Sequence, residues 1–362
     1  MTFRIKRTGI ALAISVIMAM LCVSCQQDRY IVVSGFAQGG LYTVKFNMNG
    51  KDGRIKATPE EVKDSIDNIL SRIDASLSGY NRNSLLSRFN GGEEIIPDKH
   101  FTDIYKYAYD FYESTAGVVD VSSAPLFDMW GFGFRSGAMP DNSQIEDVAA
   151  NCGMKRLRRD ICESASQNSG KLSGRHLLEI SVKDGVPPQL NYNAIAQGYS
   201  CDVVASYLYS IGVKDMMVDI GEIFCDGKNP SGEQWSLGID RPVDGNNTPG
   251  AELQGIFRVP EGAHGIVTSG NYRKYYVADG KKYAHTIDPR NGRPVSHNLL
   301  SATIMADDAM TADAFATYCM VVGLEASKAF ISSSETLEGC LIYDEDGVFR
   351  TWCSEGFTLE QP

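Results

Sequence analysis

The clearest structural pattern in this chain is the stretch LLSATIMADDAMTADAFATYCMVV, residues 299–322. Leu299 to Met305 is a short apolar run of strand length, and Met310 to Val322 has the length and apolar character of a helix. Asp313 and Thr317 stand four residues apart in that helix, so their side-chain oxygens lie on one face. The stretch therefore predicts a strand leading into a helix that carries two polar groups.

A carboxylate and a hydroxyl on one helix face form a pair of hard oxygen ligands. Mg²⁺ prefers such ligands and usually keeps other positions for water and phosphate oxygens. The spacing of Asp313 and Thr317 fits an ordinary helix equally well, with the aspartate near its start and the threonine bonded back to its own backbone. The pair alone does not separate a metal site from these structural roles.

Other segments have the patterns of further helices and strands. Pro59 to Leu77 has one apolar face, and Thr58 precedes it as a capping residue. The other predicted helices are Thr102–Thr115, Ala194–Ile211 and Leu324–Ser332. The other predicted strands are Leu41–Phe46, Asp215–Ile220, Trp235–Ile239, Ile256–Val259 and Gly265–Thr268, followed by a hairpin of Leu341–Asp344 with Val348–Trp352. Strands and helices alternate without a strict βαβ rhythm, and the polar residues 136–188 are predicted to form a surface excursion.

The first residues have the features of an export signal. A positive start precedes an apolar run from Ile10 to Val23, which is shorter than the roughly 20 residues that span a bilayer. Val23-Ser24-Cys25 is typical of a lipoprotein signal, although Cys22 stands where leucine is usual. We predict a signal peptide over 1–24, a tether over 25–34 and one domain over 35–362. The expected location is the cell envelope, facing the periplasm, with a lipid on Cys25; a plain secretory signal and an uncleaved anchor are the alternatives.

Composition limits the classes of partner. Of the 362 residues, 43% are hydrophobic and 22% charged, which is typical of a folded globular chain. The net charge of −11 argues against a nucleic-acid partner, because phosphate backbones need a basic surface. The nine cysteines include no CxxC pair, so a zinc site is not expected, whereas Cys152 and Cys162 could pair across a loop.

Three more segments carry candidate chemistry. Residues 268–272 and 285–294 combine a strand ending in hydroxyl side chains with His285, a possible base, in a stiff polar turn. Residues 117–133 place glycines beside aromatics, which fits either a slot for a flat ring or an aromatic core strand. Residues 190–199 place small side chains at a helix start, where phosphate is favoured. No GxGxxG or Walker loop occurs, so neither of those nucleotide sites is supported.

In this order and spacing, the segments resemble the FAD:protein FMN transferase family, the ApbE-like flavin transferases. The resemblance covers roughly Gly35 to Ser332, and its strongest parts are Val267–Gly270, His285–Gly292 and Ala312–Thr317. It implies an α+β, two-lobed fold with mixed or antiparallel sheets and a flavin-nucleotide cleft between the lobes. The domain over 35–362 would then be the catalytic domain.

The resemblance also implies roles for individual residues. The residues implied to contact FAD are Gln38, Tyr80, Val118, Val119, Asp120, Asn191, Gln197 and Ile287. Mg²⁺ would bind the Ala194 carbonyl and the side chains of Asp313 and Thr317. His285 is the leading candidate to accept a proton, with Asp288 as the second candidate. Asn191 and Gln197 depart from the family pattern, which often has charged Asp and Lys there.

The activity implied is Mg²⁺-dependent transfer of FMN from FAD to a Thr or Ser hydroxyl of an acceptor protein, with release of AMP. The acceptor would belong to a membrane or exported electron-transfer system. Two alternatives remain open on the sequence: an FAD pyrophosphatase that releases FMN and AMP, and a flavin-binding lipoprotein without catalysis.

Overall fold

The structure is a computed structural model, and it describes residues 30–362 except 94, 134–138, 158–188, 244, 247, 273–274 and 279–280. The side chains of 275–278 and 281–283 are not described either. The predicted signal peptide, the lipid site at Cys25 and the predicted partner Cys162 lie outside the described residues. Within the described part of the chain, no helix is long and apolar enough to cross a bilayer.

The described chain contains eight α-helices and seventeen strands. The helices are α1 Pro59–Leu77, α2 Leu85–Asn90, α3 Lys99–Ser114, α4 Ala124–Met129, α5 Asn142–Ala149, α6 Ala196–Ser210, α7 Ala309–Val322 and α8 Leu324–Ser333. The strands are β1 Tyr30–Ala37, β2 Gly40–Asn47, β3 Asn49–Gly50, β4 Gly53–Arg54, β5 Met216–Asp219, β6 Ile223–Asp226, β7 Ser236–Asp240, β8 Leu253–Arg258, β9 His264–Gly270, β10 Tyr275–Ala278, β11 Lys281–Ala284, β12 Ile287–Asp288, β13 Arg293–Pro294, β14 Leu299–Ala306, β15 Glu338–Glu345, β16 Val348–Cys353 and β17 Leu359–Glu360. The predicted strand and helix in residues 299–322 are therefore confirmed as β14 and α7.

The centre of the fold is an eight-stranded sheet in the order β1-β2-β5-β6-β9-β14-β15-β16. Every neighbouring pair in it is antiparallel. A second, three-stranded antiparallel sheet has the order β17-β8-β7. Helices and antiparallel sheets share the core, which confirms the α+β class.

The two faces of the large sheet bury different partners, because successive strand residues point to opposite sides. On one side, Val218 and Val267 lie in apolar clusters with residues of α6 and α7. On the other, Met217 and Ile266 lie in a cluster with Phe257 of the small sheet. This arrangement places the helices that carry the predicted site directly on the large sheet.

Local sequence accounts for the helix starts. The Thr58 hydroxyl oxygen accepts the Glu61 N–H, and the Glu61 carboxylate accepts the Thr58 N–H. This capping box begins α1 at the predicted residue. Helix α3 begins at Lys99, three residues before the prediction, because Asp98 accepts the Phe101 N–H and caps it there.

Two predictions are corrected by the structure. Residues 30–34, predicted as tether, belong to β1, which pairs with β2 from Tyr30↔Asn47 to Ala37↔Gly40. An edge strand needs backbone pairing rather than a buried face, and Phe36 is 73% exposed, so the usual alternation signal is weak. For the segment 117–133, the alternative of an aromatic core strand is wrong, because the segment contains helix α4 with Pro125 in its first turn; the ring slot stays a prediction.

Candidate active site between α6 and α7

Helices α6 and α7 approach each other unusually closely through glycine. A Cβ on Gly198 would stand 2.3 Å from the Ala309 carbonyl oxygen, and one on Gly265 of β9 would stand 2.3 Å from Ala309 Cα. Any larger residue would force these backbones apart. The start of α7 is therefore held between β9 and α6, and this contact brings Asp313 to the first turn of α6.

Asp313 is a buried carboxylate without a cation. It is 4% exposed, and its Oδ2 accepts the Gly198 N–H at 3.1 Å. Within the described residues it forms no ion pair. Burial raises the pKa of Asp313 well above its usual range, and the nearby Asp202 carboxylate raises it further. Since burial disfavours the charged form, a bound cation would stabilise the ionised carboxylate.

The other two predicted metal ligands have no hydrogen-bond partner in the described part of the chain. The Gly198 N–H, which would ordinarily bond to the Ala194 carbonyl four residues earlier, donates to Asp313 instead. In the described part of the chain, neither the Ala194 carbonyl nor the Thr317 hydroxyl takes part in a hydrogen bond. Ser200, by contrast, bonds back to the Ala196 carbonyl at 2.7 Å. The structural alternative for Thr317, a bond to its own helix, is therefore not what the structure has.

This donor set fits a hard divalent cation. A carboxylate, a hydroxyl and a carbonyl are the oxygen ligands that Mg²⁺ accepts. The described residues contain no group of three or more His, Cys, Asp or Glu side chains suited to a metal. The set at Ala194, Asp313 and Thr317 would therefore need further oxygens from water or a ligand, as Mg²⁺ sites commonly do.

Asp202 fixes the start of α7 from α6. Its two carboxylate oxygens accept the Ala309 and Met310 N–H groups, both at 2.8 Å. Burial raises the pKa of Asp202 to about 7, while these two bonds favour its charged form. Asp202 was not predicted as a site residue, although it lies one helical turn after Gly198 and faces the same way.

Gln38 and Gln197 both lie at the start of α6. Gln197 belongs to the helix, and Gln38 bonds to it from the turn between β1 and β2. The Gln38 amide donates to Ser200 Oγ, and its own Oε1 is buried without a hydrogen-bond partner. Gln197 Nε2 donates to the Ile220 carbonyl at 3.1 Å, beside Gly221 at φ 92°. The unpaired Gln38 oxygen is a feature that a ligand donor would satisfy.

Asn191 connects the loop before α6 with residues 118–121. Its N–H donates to the Val121 carbonyl at 2.7 Å, and its Oδ1 accepts the Asn193 N–H at 2.9 Å. Val118 and Val119 are 5% and 6% exposed, with their side chains in the helical core. A nucleotide at this loop could therefore meet little of these two residues except their backbone.

Asp120 organises the same loop. Its Oδ1 accepts the Ser122 N–H at 2.8 Å and the Ser122 hydroxyl at 2.6 Å. Burial raises the pKa of Asp120 to about 6 against the effect of these bonds. The carboxylate therefore stabilises the turn of residues 120–123, which directly follows Val118 and Val119.

The segment from His285 to Gly292 forms a second group, anchored by residues near α4. The half-buried His285 ring meets Phe132 edge-on, with ring centroids 6.5 Å apart. Ile287 is 1% exposed and packs with Leu126 and Trp130. Trp130 Nε1 donates to the Gly292 carbonyl at 2.8 Å, which fixes the turn.

Asp288 is occupied within its own turn. Arg290 Nε donates to Asp288 Oδ1 at 2.9 Å, and Arg290 Nη2 donates to Oδ2 at 2.8 Å. Such a two-point ion pair leaves the carboxylate poorly placed to take a substrate proton. The geometry thus favours His285 over Asp288 as the proton acceptor.

The two groups meet along α7. Arg290 interacts electrostatically with Tyr318, which follows Thr317 in the helix.

Tyr80 stands apart: it is 69% exposed after the end of α1, and its N–H donates to Ser78 Oγ at 3.3 Å. The structure thus gathers Gln38, Asn191, Ala194, Gln197 and Asp313 around the start of α6, with Thr317 one turn after Asp313 on α7, and leaves Tyr80 at the surface.

Comparison with known proteins identifies relatives over most of the chain. The family model described as the ApbE family matches residues 39–341. A Haemophilus influenzae protein named FAD:protein FMN transferase is 31% identical over 352 residues, which is 95% of each chain. An Escherichia coli protein of the same name is 31% identical over 303 residues, covering 82% of this chain and 81% of its own.

Solved structures give the same result. The flavin transferase ApbE from Vibrio cholerae superposes with a TM-score of 0.74 at 29% identity, covering 91% of this chain and 98% of its own. The apo flavinyl transferase ApbE from Pseudomonas stutzeri gives 0.75 at 28% identity, covering 91% and 96%. With a family model matched over most of its length and relatives aligned almost end to end, the chain belongs to the ApbE family.

Proposed function

We propose that this protein is an FAD:protein FMN transferase, an enzyme that moves FMN from FAD onto an acceptor protein. The names of its relatives support this activity over most of the chain. The observation that carries the proposal is the α6–α7 junction, where Asp313 of α7 accepts the Gly198 N–H of α6, with Ala194 just before α6 and Thr317 one turn further along α7. A junction of this kind suits a metal-assisted reaction of a diphosphate.

The finer proposal is that Mg²⁺ is held by the Ala194 carbonyl, Asp313 and Thr317. When bound, the cation would neutralise negative charge on the diphosphate of FAD as the bond to AMP breaks. Asp313 supplies the charge, and its burial excludes water that would weaken the attraction. Asp202 positions the helix that carries Asp313 and Thr317 by capping its first two N–H groups.

The transfer step itself is a substitution at phosphorus. The hydroxyl oxygen of an acceptor Thr or Ser forms a bond to the FMN phosphorus, the bond from that phosphorus to the AMP oxygen breaks, and AMP leaves. The hydroxyl proton passes to His285, which is half-buried and fixed by its neighbours. Asp288 orders the turn behind His285 through Arg290 and takes no proton.

FAD would lie along the loops around the start of α6. Asn191, Gln197, Gln38 and the backbone of Val118 and Val119 border this region, and Asp120 shapes the last of these loops. The N–H groups at the start of α6 would favour phosphate. Tyr80 and Ile287 are proposed to border the flavin or adenine rings, Tyr80 through its exposed side chain.

We also propose that the protein is lipid-anchored at Cys25 and faces the periplasm. Only residues 26–29 separate Cys25 from β1. Five residue steps reach at most about 18 Å, so the lipid would keep this edge of the sheet close to the membrane. The acceptor would then be a protein of a membrane or exported electron-transfer system.

One assay separates this activity from its alternatives. The purified protein is incubated with FAD, MgCl₂ and an acceptor domain, and the products are followed by in-gel flavin fluorescence and chromatography. Covalent flavin on the acceptor supports transfer. Free FMN plus AMP identifies a pyrophosphatase, and unchanged FAD identifies a binding protein; either result contradicts the proposal. The neutral Gln197, whose amide is engaged by Ile220, is the feature that keeps these alternatives in the test.

A further inference from the structure

Two cysteines face each other across the last hairpin of the large sheet. Cys340 of β15 and Cys353 of β16 are direct Cα partners in antiparallel register. The adjacent pair is hydrogen-bonded, since the Ser354 N–H donates to the Gly339 carbonyl at 2.9 Å. Hydrogen-bonded and non-hydrogen-bonded pairs alternate, so the two cysteines occupy a non-hydrogen-bonded pair. Cα atoms in such a pair lie about 4.5 Å apart, within the span that a disulfide bridges.

The register at this pair is fixed from both ends of the hairpin. Asp346 and Gly347 form its turn with φ 53° and 80°, the backbone of a tight two-residue hairpin loop. At the other end, the Gly339 N–H donates to Ser354 Oγ at 2.8 Å, and the Gly356 N–H donates to Glu338 Oε2 at 3.1 Å. A register shift by one residue would break these bonds and move every side chain of the strand to the opposite face of the sheet.

The two thiols interact across the hairpin. Side chains of directly opposed residues point to the same face of a sheet, and here that face packs on Trp235 and Phe257. Cys340 is 1% exposed, whereas Cys353 is half-buried. A hydrogen bond from the Cys340 thiol to the Cys353 sulfur raises the pKa of Cys340 and lowers that of Cys353.

We propose that Cys340 and Cys353 form a disulfide bond in the mature protein. The oxidant is a small or protein disulfide. The Cys353 thiolate attacks one of its sulfurs and releases a thiolate, and the Cys340 thiol loses its proton and displaces the second thiolate from Cys353. Two protein thiols lose two electrons and two protons in total, and the oxidant disulfide becomes two thiols.

The bond would fasten the edge of the large sheet. Among the described residues, β16 pairs in that sheet only with β15, so its other edge has no strand beside it there. Because the exported location proposed for this chain is oxidising, such bonds persist there. The proposal does not depend on the transfer activity, and its failure would leave that activity untouched.

The sequence provides a direct test by peptide mapping. Trypsin cleaves after Lys328 and after Arg350, which gives peptides 329–350 and 351–362 with one cysteine each. Mature protein from an oxidising compartment is denatured, its free thiols are alkylated, and it is digested without reductant. We expect a linked pair of these peptides that separates on reduction. Recovery of both peptides fully alkylated, even after incubation with oxidised glutathione, would overturn the proposal.

Thermal unfolding gives a second, independent test. It is done in a Cys152→Ser background, since Cys152 and Cys162 are another candidate pair. Reductant should lower Tm by roughly 3–6 °C in this background. The further change Cys353→Ser should remove that response, and Cys340→Ser should do the same. A response that persists in both variants, or is absent from the background, contradicts the bond.

Discussion

Asp313 and Asp288 are both buried aspartates, but their surroundings differ in one respect. In the turn from Ile287 to Arg293, Arg290 closes on Asp288 with two hydrogen bonds. At the α6–α7 junction, the described residues offer Asp313 one backbone N–H and no cation. The first carboxylate is satisfied within the protein and stabilises a loop. The second has no charge partner among the described residues, which is why we propose it as a metal ligand.

The sharpest way to break this comparison is to neutralise Asp313. Asp313→Asn keeps the size of the side chain but removes the charge proposed to hold Mg²⁺. We expect Mg²⁺-dependent transfer to fall by at least about a thousandfold, since cation stabilisation contributes several kcal/mol. Acceptor flavinylation, measured by in-gel fluorescence, reports the loss.

Stability supplies the control for this variant. Burial penalises the charged form of Asp313, so in the absence of Mg²⁺ Asp313→Asn should unfold at a temperature equal to or above that of the wild type. A variant that transfers FMN normally, or that is inactive only because it is unfolded, would remove the functional contrast between the two aspartates.

The next largest effect is expected at the proton acceptor. His285→Ala should lower kcat by about 10²- to 10⁴-fold, because general-base assistance is lost while the metal ligands stay in place. Single-turnover flavin transfer measures the rate. FAD binding in the presence of Mg²⁺, measured separately, shows whether the variant still binds its substrate. An equal loss in FAD binding would instead assign His285 to binding.

A smaller and different effect is expected at the second aspartate. Asp288→Asn weakens the pairing with Arg290, whose side chain is 47% exposed. We therefore expect the free energy of unfolding to fall by about 1–2 kcal/mol. Urea denaturation measures this change, and transfer should remain within about tenfold of the wild type. A loss of transfer as large as that of Asp313→Asn would make Asp288 the catalytic residue after all.

The last expected effect concerns stability alone, as a pH dependence at Asp120. Its pKa is about 6 in the folded protein and about 4 in an unfolded chain, so the folded state binds more protons between these values. Stability should therefore fall as pH rises from about 4 to 6 and then level off. Asp120→Asn should flatten that part of the Tm-against-pH curve, and an unchanged slope would assign it to other groups.

Much of the fold follows from local sequence. Helix α1 begins and ends at the predicted residues because its cap, its first-turn proline and its apolar face all agree. The pair Asp313 and Thr317 was visible from its spacing. Gly198, Gly265 and Asp202 were not identified as parts of the site, because each acts through a partner more than forty residues away in the chain.

The sequence by itself determined the five longest helices, eight of the seventeen described strands and the family pattern. These depend on residues close together in the chain, whose periodicity, capping and turn preferences are read directly. Only the tertiary structure decided which aspartate is left without a cation, that Thr317 does not bond to its own helix, and that Cys340 meets Cys353. The physical reason is that hydrogen bonds, desolvation and ion pairs depend on distances in space, which chain spacing leaves open.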